Sequence, residues 1–240
     1  MNIVMPMAGR GHRFVEAGFD VPKPLIDVRG RPMYAWATDG LPLDQANRLI
    51  FICLAEHLAD RALEADIRSR YGARRPVIVA LDEVTQGQAC TVLTARQWID
   101  NDEPLLIFNA DTYCPTTVAA AARRYGPQTA GILDLFAAPG DKWSFARLGP
   151  EDRVLETAEK RRISDWASTG LYYFRRGSDF VRHAQAMIDA NDRSGNEFYV
   201  APIYNRLIAA GEDVRGNRVD EVWVLGTPQD LARFEREYPR

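Results

Sequence analysis

Short, unbroken apolar runs separated by amphipathic stretches set the rhythm of the first half of the chain. Ile3–Met7, Leu49–Leu54, Val77–Leu81 and Leu105–Asn109 each read as a buried strand. Met33–Thr38 opens a helix after Pro32. His57–Tyr71 repeats apolar residues at helical spacing and stops at Gly72; Gln88–Trp98 has the same period, and Thr117–Tyr125 stops at Gly126. Such alternation predicts a parallel sheet with helices on both faces. The second half changes character. Gly131–Phe136, Ser144–Leu148, Val154–Glu156 and Leu171–Phe174 read as strands with little helix between them, which predicts an added mixed or antiparallel layer. Helices follow at Asp179–Ala190 and Phe198–Ala210, then short strands at Asp213–Gly216 and Glu221–Leu225. Pro228–Glu237 closes as a helix with Thr227 as its N-cap and Pro228 in its first turn. No internal repeat, low-complexity tract or linker interrupts the pattern, so residues 1–240 are expected to form one α/β domain.

Bulk composition narrows the classes without naming one. A net charge of -3 over 240 residues argues against a polyanion-binding surface, so no nucleic acid is expected as a partner. Cys53, Cys90 and Cys114 are odd in number and show no Cys-x-x-Cys spacing, the pattern of a reduced, cytoplasmic protein. The N-terminal apolar run is far too short to span a bilayer and lacks a charged leader, so no membrane association is expected. One bias is informative: only Lys23, Lys142 and Lys160 are lysines among the 30 basic residues. Lysine is a compact point charge and arginine a planar fork. Two of the three, Lys23 and Lys160, lie in segments with the look of phosphate or sugar contacts.

The chemistry concentrates where strands end. In open α/β sheets, ligands bind beyond the carboxyl ends of the strands. The first strand runs into Gly9 and Gly11, followed by the cations Arg13 and Lys23. Glycines there let backbone N–H groups approach phosphate oxygens, and the cations neutralise them. Gln86 and Gly87 follow the third strand; the amide suits a base edge, and a surface turn is the alternative. Asn109 and Asp111 end the fourth. A carboxylate beside a phosphate loop is a natural Mg²⁺ ligand, and a turn aspartate is the plainer alternative. Glu159 and Lys160 form either a sugar and phosphate contact or a solvated pair. The loop lacks Gly-Lys-[Ser/Thr] and is no P-loop; Phe14 stands where a dinucleotide fingerprint needs its third glycine. The three histidines have no metal-ligand spacing, and no Gly-x-Ser-x-Gly elbow occurs.

Taken in order, these segments resemble the sugar-phosphate nucleotidylyltransferases over nearly the whole chain. Gly9-Arg10-Gly11-His12-Arg13 and Lys23-Pro24-Leu25 resemble that family's opening loop. Gln86-Gly87-Gln88-Ala89 is similar to its base-recognition turn, and Phe108-Asn109-Ala110-Asp111 to its metal aspartate. Glu159-Lys160, Thr169-Gly170-Leu171-Tyr172-Tyr173-Phe174, Glu197 at the start of a helix, and Gly226-Thr227-Pro228-Gln229-Asp230-Leu231 complete the resemblance. It implies a Rossmann-like, mostly parallel sheet flanked by helices. Residues 1–126 would mainly bind nucleotide and residues 127–240 mainly the sugar phosphate.

The implied reaction joins an NTP to a sugar 1-phosphate, giving an NDP-sugar and pyrophosphate with Mg²⁺ on Asp111. Amides from Ala8 to Gly11 with Arg13 would hold the phosphates. Lys23 would stabilise the reacting one, Gln86, Gly87 and Asn109 would lie around the nucleotide, and Glu159, Lys160, Gly170 and Glu197 would line the acceptor. The chain departs from the family at Val224, where a second metal aspartate is usual, with Asp220 as a substitute, and at Arg161, where proline is usual. Two rival readings stay open. One is a cytidylyltransferase for phosphocholine or another non-sugar phosphate such as a phosphopolyol, with Trp143, Trp166, Tyr172 and Tyr173 as an aromatic cage for choline or, more plainly, as core packing. The other is a non-catalytic nucleotide-sugar-binding protein. Homo-oligomerisation, the base and the sugar stay open.

Overall fold

The computed structural model describes residues 1–239. Its strands are β1 (Asn2–Met7), β2 (Asp27–Val28), β3 (Arg31–Pro32), β4 (Arg48–Leu54), β5 (Val77–Leu81), β6 (Leu105–Phe108), β7 (Thr112–Tyr113), β8 (Thr129–Ala137), β9 (Ser144–Leu148), β10 (Val154–Glu159), β11 (Trp166–Phe174), β12 (Asp213–Arg218) and β13 (Trp223–Val224). Its helices are α1 (His12–Glu16), α2 (Met33–Asp39), α3 (Ala55–Leu58), α4 (Ala62–Tyr71), α5 (Gln88–Leu93), α6 (Arg96–Ile99), α7 (Val118–Tyr125), α8 (Gly177–Asp189), α9 (Ile203–Ala209) and α10 (Pro228–Glu237).

Nine strands join in one sheet of order β10-β9-β11-β6-β1-β4-β5, with β8 also on β11 and β12 on β8. β1 lies parallel to β4 and β6, with Ile3 opposite Leu49 and Leu106, and β4 lies parallel to β5. Parallel neighbours need crossover helices, and those helices cover both faces. Alternation along each strand divides the core accordingly. Val4, Ile50, Ile52 and Ile107 face α5, α6, α8 and α9. Ile3, Met5, Leu49, Phe51 and Phe108 face α2, α4 and α7. β11 then reverses direction, pairing antiparallel with β6, β8 and β9, and β9 pairs antiparallel with β10. The expected antiparallel layer is therefore a continuation of the same sheet. A smaller cluster of Phe14, Met33, Trp36, Leu225 and Phe234 ties α1, α2 and α10 together beside the main core.

Several boundaries differ from the pattern, each for a local reason. The helix expected over His57–Tyr71 breaks at Arg61, which adopts φ +61 while the Asp60 carboxylate accepts from the Ala62 amide. Gln88–Trp98 divides into α5 and α6, where the Thr94 hydroxyl bonds back to the Thr91 carbonyl. Phe198–Ala210 is helical only from Ile203: Pro202 lacks an N–H to continue a helix from upstream, and the Phe198 amide and carbonyl are bound by Gln86 and Ala89. Glu197 thus lies in a bridged turn with Ser194 rather than at a helix start. β10 runs on to Glu159, which places that carboxylate within a strand. The closing helix matches its reading, with the Thr227 hydroxyl accepting from the Asp230 amide at 3.1 Å. No helix among the described residues is long and apolar enough to cross a membrane.

Candidate active site

A cleft of about 510 Å³ opens beyond the carboxyl ends of β1 and β6. On one side, β1 delivers the chain to Gly9 and then to Gly11, which caps α1 with φ +64. A Cβ at Gly11 would sit 2.8 Å from the Cβ of Lys23, so the bare backbone lets the loop rest on the lysine stem. Lys23 begins a 3-10 turn bracketed by Pro22 and Pro24. Its Nζ lies 5.6 Å from the centroid of buried Phe14 and 2.5 Å from Asp111 Oδ2. Asp111 is braced in turn: its carbonyl accepts from the Leu225 amide at 2.7 Å, and the next residue, Thr112, pairs with Val224 in the β7–β13 ribbon. Arg13 lines the same side, exposed and without an acidic partner among the described residues.

Asn109 and Gly170 form the seam of the cleft. The Asn109 amide donates to the Gly170 carbonyl at 3.3 Å, and its side-chain oxygen accepts from Gln88 Nε2 at 2.5 Å. Gly170 has φ +88, and a Cβ there would fall 2.2 Å from Asn109 Nδ2. No side chain larger than hydrogen leaves Asn109 in place.

The far side is built from antiparallel strand ends. Glu159 accepts from the Ser144 hydroxyl across the β9–β10 pair. Burial pushes the Glu159 carboxyl above its ordinary range, while Ser144 and the Lys160 charge pull the other way. Lys160 leaves the strand with φ +50; its amide donates to the Trp143 carbonyl at 2.9 Å and its Nζ to the Tyr199 hydroxyl at 2.5 Å. That hydroxyl, together with the nearby carboxylates, raises the Lys160 pKa and keeps the ammonium charged.

The structure therefore gathers Gly9, Gly11, Arg13, Lys23, Asn109, Asp111, Glu159, Lys160 and Gly170 around one cleft. Four other sequence candidates do not line it. Ala8 packs into the core. Gln86 is exposed, accepts from Arg193 at 2.5 Å, and offers its carbonyl to the Phe198 amide. Gly87 has φ +137 because a Cβ would meet the Phe198 backbone at 2.5 Å; its glycine serves a chain crossing. Glu197 lies on the exposed turn beyond. The proposed aromatic cage does not assemble: Trp143 and Tyr172 reach the cleft, whereas Tyr173 packs into the opposite core layer and Trp166 lies beneath Arg218.

Sequence reasoning assigned no role to Gln88, Lys142, Tyr199 and Asp230, all of which line the cleft. Lys142 carried a signal in the lysine bias, and Gln88 stands one residue past the candidate turn. Tyr199 and Asp230 arrive by tertiary packing. Asp220 is exposed and outside the cleft, so the acidic group near Asp111 is Asp230: Asp111 Oδ2 lies 3.4 Å and Asp230 Oδ2 3.9 Å from the Cβ position of Gly226. No group of three or more His, Cys, Asp or Glu residues among those described forms a metal cage. Asp111 in an open, cation-lined cleft does fit Mg²⁺, an ion commonly held by one or two carboxylates plus substrate phosphates.

The chain has relatives among known proteins. The chain is 28% identical over 258 residues to the bifunctional protein GlmU of Paraburkholderia phymatum, covering 100% of this chain and 52% of that protein. The GlmU of Cupriavidus pinatubonensis gives 27% over 260 residues, again at 52% of its length. The chain thus spans about half the length of the curated relatives it matches. Among solved structures, a nucleoside-diphosphate-sugar pyrophosphorylase from Vibrio cholerae superposes with a TM-score of 0.85 at 29% identity, covering 98% of this chain and 100% of that one. The inositol-1-phosphate CTP transferase of T. maritima shares the fold, with a TM-score of 0.76 at 14% identity and 100% and 97% coverage. The profile of the family described as nucleotidyl transferase matches residues 2–239, and the chain belongs to that family.

Proposed function

We propose that this nucleotidyltransferase joins an NTP to a sugar 1-phosphate, releasing pyrophosphate and an NDP-sugar. The observation that carries the reading is the opposition of two charged stations across one seam. Lys23, paired with Asp111, stands on the glycine-loop side, and Lys160, beside Glu159, stands on the other. The GlmU relatives and the pyrophosphorylase from V. cholerae support the substrate class.

An oxygen of the acceptor phosphate forms the new bond to the α-phosphorus, and the bond from that phosphorus to the bridging oxygen of pyrophosphate breaks. No covalent enzyme intermediate is needed, so catalysis rests on positioning and charge stabilisation. The Gly9–Gly11 backbone and Arg13 hold the phosphates that depart. Lys23 exchanges its contact with Asp111 for the phosphate on which charge develops. Lys160 holds the acceptor phosphate, and Glu159, ionised, accepts from acceptor hydroxyls. Mg²⁺ bound at Asp111 would supply charge neutralisation for the phosphates. Activated sugars of this kind feed polysaccharide and glycan assembly, and we place the enzyme in the cytoplasm with its nucleotide substrates.

The test is pyrophosphate release with Mg²⁺ over a matrix of NTPs against sugar 1-phosphates, phosphopolyols and phosphocholine. The expected result is turnover confined to one NTP and one sugar 1-phosphate. Turnover only with phosphocholine or a phosphopolyol would replace the acceptor class, and NTP binding without turnover on any acceptor would replace catalysis by sensing.

A further inference from the structure

All three lysines of the chain, Lys23, Lys142 and Lys160, line the same cleft, although arginine supplies the other 27 basic residues. Elsewhere arginine handles the structural pairing. Every side-chain ion pair among the described residues uses an arginine, except that of Lys23 with Asp111. All three lysines thus stand where a ligand would lie. Lys23 and Lys160 have roles in the transfer reaction; Lys142 has none so far.

Its surroundings indicate one. Lys142 lies on the segment between β8 and β9, with its ammonium 4.8 Å from the centre of the Trp143 indole. The indole is fixed: its N–H donates to the Pro139 carbonyl at 2.9 Å and its edge meets Phe136 at 5.3 Å between centroids. The Trp143 carbonyl binds the Lys160 amide at 2.9 Å, so the two lysines leave adjoining strand ends side by side. Neither has a carboxylate within ion-pair distance among the described residues, and the nearest strand acid, Glu159, is engaged by Ser144. An exposed ammonium over an indole is held weakly, a resting place that a doubly charged ligand readily displaces.

We propose that Lys142 is a second phosphate ligand. Together with Lys160 it forms a two-ammonium seat for the dianionic phosphate monoester of the acceptor, and Trp143 holds it in readiness when the seat is empty. This assignment rests on the reading of the Glu159–Lys160 side as the acceptor station. It specifies the acceptor as a phosphate monoester dianion, bound by point charges that leave the attacking oxygen free of a bidentate guanidinium fork.

The test compares wild type, Lys142→Met and Lys160→Met by two independent routes. In pyrophosphate-release kinetics at saturating NTP, Lys142→Met should raise the acceptor KM about tenfold or more, as for loss of one charge-assisted contact, with the NTP KM within twofold of wild type. In calorimetry with α-D-glucose 1-phosphate and with inorganic phosphate as probes, the same variant should weaken binding about tenfold, and the loss should shrink in high salt. An acceptor KM and probe affinity within twofold of wild type would overturn the role of Lys142 while leaving nucleotidylyl transfer intact. A loss falling on the NTP KM would overturn it as well. If wild type shows no turnover on any acceptor, the transfer reading fails, and probe binding still decides the seat. A tenfold weaker Kd in both lysine variants supports it, and an unchanged Kd in Lys142→Met removes it.

Discussion

The two sides of the cleft are built by different means. On the glycine-loop side, parallel strand ends do the positioning and the reaches in sequence are long: Gly11 lies against the Lys23 stem, and Lys23 meets Asp111, 88 residues further on, at 2.5 Å. A second long reach is the brace from Leu225 to the Asp111 carbonyl. On the proposed acceptor side, antiparallel strand ends hold each group through partners nearer in sequence: Glu159 by Ser144, 15 residues away, and Lys160 by the Trp143 carbonyl and by Tyr199, 39 residues away. The first side is a preformed cradle of fixed backbone with one movable cation. The second is a hydrogen-bonded network whose protonation and hydroxyl partners can change with the substrate. If the first side holds the nucleotide and the second the acceptor, as proposed, acceptor choice can be altered by editing the second side alone.

That contrast can be broken most directly at Lys23. Lys23→Ala should lower turnover about a hundredfold or more, the scale of removing one charge stabiliser from a preorganised site. A near-normal rate would mean that the cradle works without its cation. A smaller effect is expected at the seam. Gly170→Ala forces a Cβ into Asn109 at φ +88, which should cost about 1–3 kcal/mol of stability and raise both substrate KM values. Denaturant unfolding with parallel kinetics checks this, and a change confined to one KM would show that the two sides are not joined there.

The smallest effect is expected at Glu159. Because burial raises its pKa, the carboxylate is lost at higher pH during acidification than an exposed glutamate would be. The acceptor KM should rise as pH falls through that raised value and stay level above it. Glu159→Gln should remove the carboxylate's share of the pH dependence, leaving that of the acceptor phosphate, and raise the acceptor KM about tenfold at neutral pH, the cost of about 1.5 kcal/mol in one hydrogen bond to an ionised group. A wild-type profile identical to that of the variant would take the carboxylate out of acceptor recognition.

The sequence revealed local features better than crossings. The parallel strands were legible because burial on both faces leaves unbroken apolar runs such as Leu49–Leu54, and α10 because Thr227 and Pro228 punctuate its start. Gly9 to Lys23 was legible because it lies within one stretch of chain, and Asp111 because it follows the next unbroken apolar run on the parallel sheet, although 88 residues separate it from Lys23. Gln86 and Gly87 could not be placed from sequence, because a glycine at φ +137 leaves the same trace whether a base or the Phe198 backbone crosses it. Glu197 reads as a helix start because nothing local shows that its turn is pinned by Gln86, more than 100 residues away; its charge nonetheless acts on Glu159 and Lys160. Tyr199 and Asp230 carry no local mark at all, since tertiary packing alone brings them to the cleft. Lys142 was marked only by rarity, a signal that gained a location once the sheet was in view.

The tie between Leu225 and Asp111 also orders events in time. A nascent chain that has emerged as far as β11 already carries Lys23, Asp111, Glu159 and Lys160, yet it lacks β13, whose pairing with β7 braces the segment beside Asp111. Helix α10, which packs Leu231 and Phe234 beside Phe14 and Trp36, comes later still. The cleft proposed as the catalytic centre is thus among the last parts of the molecule to be completed on the ribosome. A chain cut short before residue 225 would keep its cations and lose the frame that aims them.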